Sequence, residues 1–126
     1  GLNLIRPISG TITSRFGSIS RVRSGAHTGL DIAASTGTPI KAAAAGTVTF
    51  SGTKRAYGKM IVISHGNGIE TYYGHCSKLY VNEGDIIQQG QEIAEVGATG
   101  NATGPHLHFE IRYQNRLIDP ELILEF

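Results

Sequence analysis

Short runs in which apolar and polar residues alternate recur along the whole chain, whereas stretches with helical spacing are few. Alternation is typical of a half-buried antiparallel strand, because successive side chains point to opposite faces of the sheet. Val, Ile, Thr and Tyr are frequent in these runs, and glycine-containing turns separate them. Eight candidate strands follow, over residues 10–14, 39–42, 46–51, 59–64, 68–73, 86–87, 92–96 and 107–113. The pattern predicts an all-β domain, an antiparallel sandwich or barrel-like hybrid with little helix.

The connections between these runs carry their own signals. Asn67 and Gly68 form a dipeptide that is typical of a tight hairpin turn, and we expect His65 to be a solvated residue of that turn. Proline follows Asp119, which suits a short helical turn or an irregular end that packs the apolar residues of the tail back on the sheet. Residues 36–48 and 82–94 share a pattern of turn glycine, short apolar strand and second glycine, a weak repeat of the kind seen in barrel-like sandwiches.

Length and charge narrow the classes of protein that the chain can represent. Its 126 residues suit one domain, predicted over residues 1–126, with a core that buries about two thirds of the unfolded surface. Eleven basic and ten acidic residues leave a net charge of +1, which argues against nucleic acid or an anionic membrane as partner. No apolar run approaches the roughly 20 residues of a membrane span, and the start lacks the apolar core of a signal peptide. We expect a monomeric domain excised from a longer protein.

Histidine and aspartate residues provide the candidate chemistry. His106 and His108 are two apart in a predicted strand, so both imidazoles point to the same face. Further upstream, His27 and Asp31 are four residues apart and supply the nitrogen and oxygen ligands that zinc accepts. Three protein ligands with one open position are typical of a catalytic zinc site. The spacing leaves open which member of the His106 and His108 pair binds the metal; the other, or His75, could accept a proton or stabilise an oxyanion.

The single cysteine, Cys76, follows His75 and raises the alternative of a hydrolase with a cysteine nucleophile. Adjacent residues in a strand point to opposite faces, so these two side chains are not expected to meet. We therefore interpret Cys76 as a small buried apolar residue. One cysteine allows no internal disulfide and gives no indication of the redox compartment.

Taken in order, the motifs resemble those of peptidase family M23, the zinc metallopeptidases of the lysostaphin and LytM type. The resemblance spans nearly the whole chain and rests on residues 7–17, 27–34, 37–40, 44–48, 73–79, 97–100 and 104–110. It implies an antiparallel β domain with a groove floored by the sheet and walled by loops. Tyr73 matches an aromatic position beside that groove, and the arginine-containing segment 17–26 is expected to help wall it.

The resemblance also implies a set of functional residues. His27, Asp31 and His108 match the Zn²⁺ ligands, and His75 and His106 match two catalytic histidines that are not ligands. The implied function is hydrolysis of peptide cross-links in bacterial peptidoglycan through a metal-activated water that the two histidines assist. Glycine bridges and D-amino-acid cross-links both remain open as substrates. The implied location is the cell envelope or the extracellular space, or a virion if the chain is encoded by a phage.

Two other classes of function are weighed against this one. A catalytically silent M23-like domain would act as a binding or regulatory module, but such domains typically lack a metal ligand, and His27, Asp31 and His108 are all present. A hybrid-barrel carrier domain would fit the glycine-turn repeat. A biotinyl or lipoyl carrier needs a lysine at a hairpin tip, and the corresponding turns have none; a phosphocarrier would have two facing histidines without Asp31.

Overall fold

A computed structural model describes residues 3–17 and 27–124 of the protein, and these residues form mostly β-strands. The segment predicted to wall the groove, apart from Gly17, lies outside these residues. Within them no helix has the length and apolar character to cross a membrane. The ten described strands are β1 (Thr11–Ser14), β2 (Leu30–Ala33), β3 (Pro39–Lys41), β4 (Gly46–Lys54), β5 (Gly58–Gly66), β6 (Ile69–Leu79), β7 (Ile86–Ile87), β8 (Glu92–Val96), β9 (His106–Tyr113) and β10 (Arg116–Ile118).

All described strand pairs are antiparallel, and they form one sheet whose main order is β1-β2-β9-β6-β5-β4-β7. Strand β10 adds to β9, while β8 connects β3 to β6. The predicted all-β, antiparallel fold with little helix is confirmed. Because β2, β9 and β6 are neighbours, the sheet brings together three sequence motifs that are far apart in the chain.

Each of the eight predicted strands corresponds to an observed strand, but two strands are missing from the prediction. Strand β2 has four residues, two of them buried, and lies inside the histidine and aspartate motif, where its alternation is too short to stand out. Strand β10 has three residues. Strand β6 also continues past its predicted end to Leu79, and it therefore includes His75.

Two-residue turns join neighbouring strands at two positions. Asn67 and Gly68 have φ angles of 54° and 78°, as the predicted turn between β5 and β6 requires. The turn between β9 and β10 has the same left-handed backbone at Gln114 and Asn115, with φ of 49° and 64°, and contains no glycine. The prediction for His65 is wrong, because this residue lies within β5 and is half-buried.

The core lies against one face of β9 and the site against the other. Leu107, Phe109 and Ile111 are buried among the core residues, and the Phe109 ring lies 5.5 Å from the ring of Tyr73. The alternate residues of β9 point away from this core, as the period of two predicts. The tail contains a single turn of 3-10 helix (Pro120–Leu122), and Leu124 beyond it is buried in the core, as predicted. Leu122 and Ile123 are exposed, so the predicted packing of the apolar tail holds for Leu124 and is wrong for these two residues.

The two segments of the weak repeat pair with each other. Strand β3, from the first segment, pairs with β8, from the second, and β4 pairs with β7. Backbone hydrogen bonds also link the ends of these strands, for instance from Gly90 to the carbonyl of Ala42 and from Gly84 to that of Val48. The two segments of the repeat therefore pair strand by strand within one sheet and do not form two separate subdomains.

Candidate metal centre

Three side chains from the sheet bring their ligand atoms to one point. The register of β2 and β9 places Asp31 opposite His108, and His27 lies just before β2. Oδ1 of Asp31 is 3.1 Å from Nε2 of His27 and 2.9 Å from Nδ1 of His108. The two ring nitrogens are 3.1 Å apart. All three groups offer a ligand atom within 4.8 Å of the others, which is an arrangement able to hold a metal ion.

The other nitrogen of each ring determines what the cluster can bind. Nδ1 of His27 lies 3.2 Å from the carbonyl oxygen of Arg15, an acceptor, so Nδ1 carries the hydrogen and Nε2 has the lone pair. Nε2 of His108 lies 2.7 Å from Oε2 of Glu110 and donates to it, which leaves the lone pair on Nδ1. Two nitrogen lone pairs and the Asp31 carboxylate thus face one another, and they require a cation or a proton between them.

The spacing of this cluster fits a tetrahedral zinc ion. Bonds of about 2.0–2.1 Å from zinc to nitrogen and oxygen place neighbouring ligand atoms about 3.3 Å apart in a tetrahedron. The observed separations are 2.9–3.1 Å. A shift of a few tenths of an ångström therefore suffices, and two imidazoles with one carboxylate are a set that zinc accepts. His27, Asp31 and His108 could hold the metal, with a fourth position left for a further ligand.

Electrostatics in the cluster agree with a site built for a cation. Burial opposes the charged form of Asp31, but the hydrogen bonds and charges of His108 and His27 outweigh it and hold the pKa of this carboxyl well below its usual range. Burial likewise opposes a charge on His108, yet Asp31 and Glu110 raise the pKa of its ring to about 9. In the absence of a metal, a proton on His108 therefore takes the place of the cation, and metal binding releases it.

His106 and His75 lie beside the cluster with one nitrogen each held by a backbone carbonyl. Nδ1 of His106 is 2.9 Å from the carbonyl oxygen of Gly104, and its Nε2 is 3.6 Å from Oδ2 of Asp31. Nδ1 of His75 is 2.6 Å from the carbonyl oxygen of Thr99. In the neutral form of either ring, Nε2 is consequently the unprotonated nitrogen. The His75 ring lies 4.7 Å from that of His106 and 5.9 Å from that of His108.

A bulge in β6 directs His75 toward the site. Between Tyr73 and Cys76 this strand has one residue more than β5, where Ile61 and Lys59 are the partners. His75 has a φ of 63°, a left-handed backbone that is uncommon for a residue with a Cβ atom, and its amide donates to the carbonyl of Tyr57. Burial lowers the pKa of the His75 ring to about 4, and His106 and His108 act in the same direction. The ring is thus neutral at pH 7.

Four residues of the site had no predicted role. Glu110 lies on β9 two residues from His108, so the same alternation that singled out His106 and His108 could have found it. Thr28 and Tyr57 both donate to Oε2 of Glu110, at 2.8 Å and 2.6 Å. Arg112 continues the face and forms an ion pair with Oε1 at 2.8 Å. No local pattern marks Thr28 or Tyr57, because they reach Glu110 only through the fold.

Two other predictions concern β6. Cys76 is fully buried, as expected, and burial raises the pKa of its thiol to about 12. A thiol with that pKa in the core cannot act as the nucleophile of a hydrolase. Tyr73 is also fully buried, so its predicted position beside the groove is wrong; its hydroxyl lies 2.7 Å from Thr71 Oγ1 inside the core. The neighbouring Tyr72 faces the site instead, under the guanidinium of Arg112.

Fold and site agree with the result of comparison with known protein families. The sequence model of Peptidase family M23 matches residues 25–120, which is most of the chain. The chain therefore belongs to Peptidase family M23.

Curated relatives and a solved structure support this assignment. The DD-carboxypeptidase/endopeptidase Mpg of Neisseria meningitidis serogroup B is 47% identical over 94 residues, covering 75% of this chain and 22% of that protein. A lipoprotein NlpD/LppB homolog of Pseudomonas aeruginosa is 42% identical over 115 residues, covering 90% and 37%. The crystal structure of a zinc-containing peptidase from Vibrio cholerae superposes with a TM-score of 0.85 at 35% identity, covering 94% and 39%. The chain spans well under half the length of each.

Proposed function

We propose that this chain is a zinc-dependent endopeptidase that hydrolyses peptide cross-links of bacterial peptidoglycan. The observation that carries the proposal is the convergence of two histidine lone pairs and the Asp31 carboxylate within 3.1 Å of one another. Two further histidines beside the cluster offer unprotonated nitrogens. Such a set provides both a metal-binding centre and proton acceptors, as hydrolysis of an amide requires.

His27, Asp31 and His108 would hold the metal. Zinc at this position supplies Lewis acidity, which polarises a substrate carbonyl and makes a water molecule acidic enough to act as a nucleophile near pH 7. The protein supplies the orientation of the ligands: Arg15 fixes the ring of His27 and Glu110 fixes that of His108 through the hydrogen bonds given above. The three ligands need no rearrangement of the backbone to meet.

We assign proton transfer and oxyanion stabilisation to His75 and His106. When either ring is neutral, its Nδ1 carries the hydrogen that is donated to a backbone carbonyl, so Nε2 has the lone pair and can accept a proton from the attacking water. Once protonated, the same nitrogen can donate to the leaving amine or to the oxyanion that develops on the substrate. The rings are 4.7 Å apart, so both can contact one reacting group.

The relatives support peptidoglycan as the substrate. Mpg is named a DD-carboxypeptidase/endopeptidase, and this similarity favours a D,D-peptide bond of the stem cross-link over a glycine bridge. The NlpD/LppB homolog is named a lipoprotein, which supports action at the cell envelope. We further propose that residues 1–126 form one monomeric peptidase domain.

Mass spectrometry of released peptides tests the proposal. The zinc-loaded protein is incubated with two purified cell walls, one cross-linked through glycine bridges and one cross-linked directly through D-amino-acid stems. The expected result is release from the directly cross-linked wall, with new termini at the D,D bond. Cleavage of the glycine-bridged wall alone would change the substrate class. Release from neither wall by a protein with one zinc bound would contradict the proposed hydrolase and favour a silent binding module.

A further inference from the structure

Behind the metal ligands lies a buried carboxylate whose hydrogen-bonding capacity is filled. The side chain of Glu110 has no exposed surface. Its Oε2 accepts hydrogen bonds from Nε2 of His108, from Thr28 and from Tyr57, at 2.7, 2.8 and 2.6 Å. Its Oε1 accepts two from the guanidinium of Arg112, at 2.8 and 3.0 Å. A carboxylate with five donors around it can neither rotate nor move toward the metal centre.

We infer that Glu110 is a positioning residue that holds His108 in the tautomer and orientation needed to bind the metal through Nδ1. This inference rests on the proposed zinc site. A carboxylate that accepts from the outer nitrogen of a metal-binding histidine fixes its ring and makes the inner nitrogen a stronger ligand. Because His108 and Glu110 are two residues apart on β9, they share a face and the bond forms without a connecting loop.

Arg112 and two aromatic rings hold the carboxylate in turn. Arg112 is the next residue on the same face of β9, and its two bonds to Oε1 neutralise a charge that would otherwise be costly to bury. The guanidinium lies 4.3 Å from the centre of the Tyr72 ring and donates to the hydroxyl of Tyr57 at 3.2 Å. The Tyr57 ring also packs 5.6 Å from the ring of His108, so one side chain contacts both partners.

Two glycines give this network the space that it needs. A Cβ atom on Gly29 would lie 2.3 Å from the carbonyl oxygen of Phe109 and 2.9 Å from Cγ of Glu110. The segment that carries Thr28 therefore packs directly on β9 only because residue 29 has no side chain. On the other side, a Cβ on Gly74 would lie 3.2 Å from the Tyr57 ring. The positions of Thr28 and Tyr57, which both donate to Glu110, thus depend on the glycines at residues 29 and 74.

Zinc affinity, measured by competition with a chelator, separates this role from simple stabilisation. Glu110→Gln keeps an acceptor near His108 but removes the negative charge, and we expect it to weaken zinc binding by about 10- to 100-fold. Tyr57→Phe and Thr28→Val each remove one donor to Oε2, and we expect smaller losses from them. Nitrogen NMR of the metal-free protein, at a pH high enough for the His108 ring to be neutral, reports the tautomer, which should become mixed in Glu110→Gln. The matched control is His65→Ala, which disturbs a separate hydrogen-bond network.

The outcomes are distinguishable. If the wild-type protein binds no zinc, the proposed function fails, and the inference fails with it. If the wild type binds zinc and a folded Glu110→Gln binds it within about twofold, with the tautomer unchanged, the inference alone is overturned. If Glu110→Gln does not fold, Tyr57→Phe decides in the same way. A loss of zinc affinity in His65→Ala as large as in these variants would show that affinity follows stability, which also overturns the inference.

Discussion

Two hydrogen-bond networks of this protein, one around His65 and one in the candidate metal centre, differ in whether a histidine nitrogen stays available to a ligand. In the first, both nitrogens of His65 have protein partners, the carbonyl of Ala45 and the hydroxyl of Thr71, each at 2.7 Å. The chain of bonds continues through Tyr73 to the amide of Ala43, where it ends. In the metal centre, the outer nitrogen of each histidine is bonded to a backbone carbonyl or a carboxylate, while the inner nitrogen faces a shared space.

The difference separates the histidines to which we assign a function from His65. Burial alone does not separate them, since His65 and the site residue His106 are both half-buried, and the hydrogen bonds of His65 are as short as those of the site. Both nitrogens of His65 are taken up by a backbone carbonyl and a hydroxyl group, so this ring has no lone pair to offer a metal or a substrate. In the site, the outer nitrogen of each ring is held by a carbonyl or a carboxylate, while the inner nitrogen faces the other groups of the site, so the ring is oriented and its lone pair stays available. His27, His75, His106 and His108 are of this second kind.

Removing the shared carboxylate should have the largest effect. Asp31→Ala takes away one ligand and leaves the nitrogens of His27 and His108 without the negative charge that holds a cation between them. We expect loss of zinc and a fall in activity to the level of the zinc-free protein. Metal analysis after dialysis and a peptide-release assay measure both. Zinc retained at one equivalent per chain would show that the cluster is not the metal centre.

Removing a histidine beside the cluster should separate metal binding from turnover. His106→Ala leaves the three predicted ligands intact, so zinc should remain bound, whereas loss of a proton acceptor should lower kcat by about 10²-fold or more. The comparison needs kcat and zinc content from the same preparation. Full activity in a zinc-loaded His106→Ala would remove the role assigned to this residue.

The hydrogen-bond network around His65 should respond in the opposite way. His65→Ala leaves the Ala45 carbonyl and the Thr71 hydroxyl without their partner, and we expect the free energy of unfolding to fall by about 1 to 2 kcal/mol. Zinc content and kcat at a temperature where the variant is folded should stay at the wild-type values. Denaturant unfolding gives the first quantity. A defect in kcat with unchanged stability would break the distinction between the two networks.

The smallest effect concerns the protonation of His75. Its pKa is lowered to about 4 by burial, so the folded state disfavours the charged ring. An NMR titration of the zinc-free protein should give a midpoint well below 6.5 for this ring. Because the unfolded ring binds its proton more readily, the contribution of His75 to stability is complete above pH 6.5 and falls as the pH drops toward 4. A midpoint at or above 6.5 would contradict the buried, neutral state.

Much of the fold and the ligand motif could be predicted from local patterns, for physical reasons. Alternation over five or more residues marks a strand, and His106 and His108 share a face through the same period. Strand β2, which carries Asp31, escapes this signal because its four residues lie inside the histidine and aspartate motif. The shorter strands β3 and β7 could be predicted because turn glycines lie on both sides of them. The bulge that directs His75 depends on a mismatch with β5, and a sequence read one segment at a time does not contain that information.

The residues that hold Glu110 behind the metal ligands could not be predicted from the sequence, for a related reason. Tyr57 and Thr28 lie 53 and 82 residues before Glu110. They meet it because β2, which Thr28 precedes, pairs with β9, and β5, which Tyr57 precedes, pairs with β6, the other neighbour of β9. At Tyr73 a role was predicted that the fold does not support: the residue was expected beside the groove, but it is buried in the core. The strand period directs Tyr72 to the site and Tyr73 to the core, so alternation corrects the assignment.

Adding zinc back to the metal-free protein tests the central claim most directly. The protein is stripped with a chelator, dialysed, and titrated with zinc while the release of peptides from a directly cross-linked cell wall is followed. If His27, Asp31 and His108 hold the catalytic metal, activity should be absent at the start, rise with each addition and level off at one zinc per chain. Activity that is already present in the metal-free protein and unchanged by zinc would contradict the account.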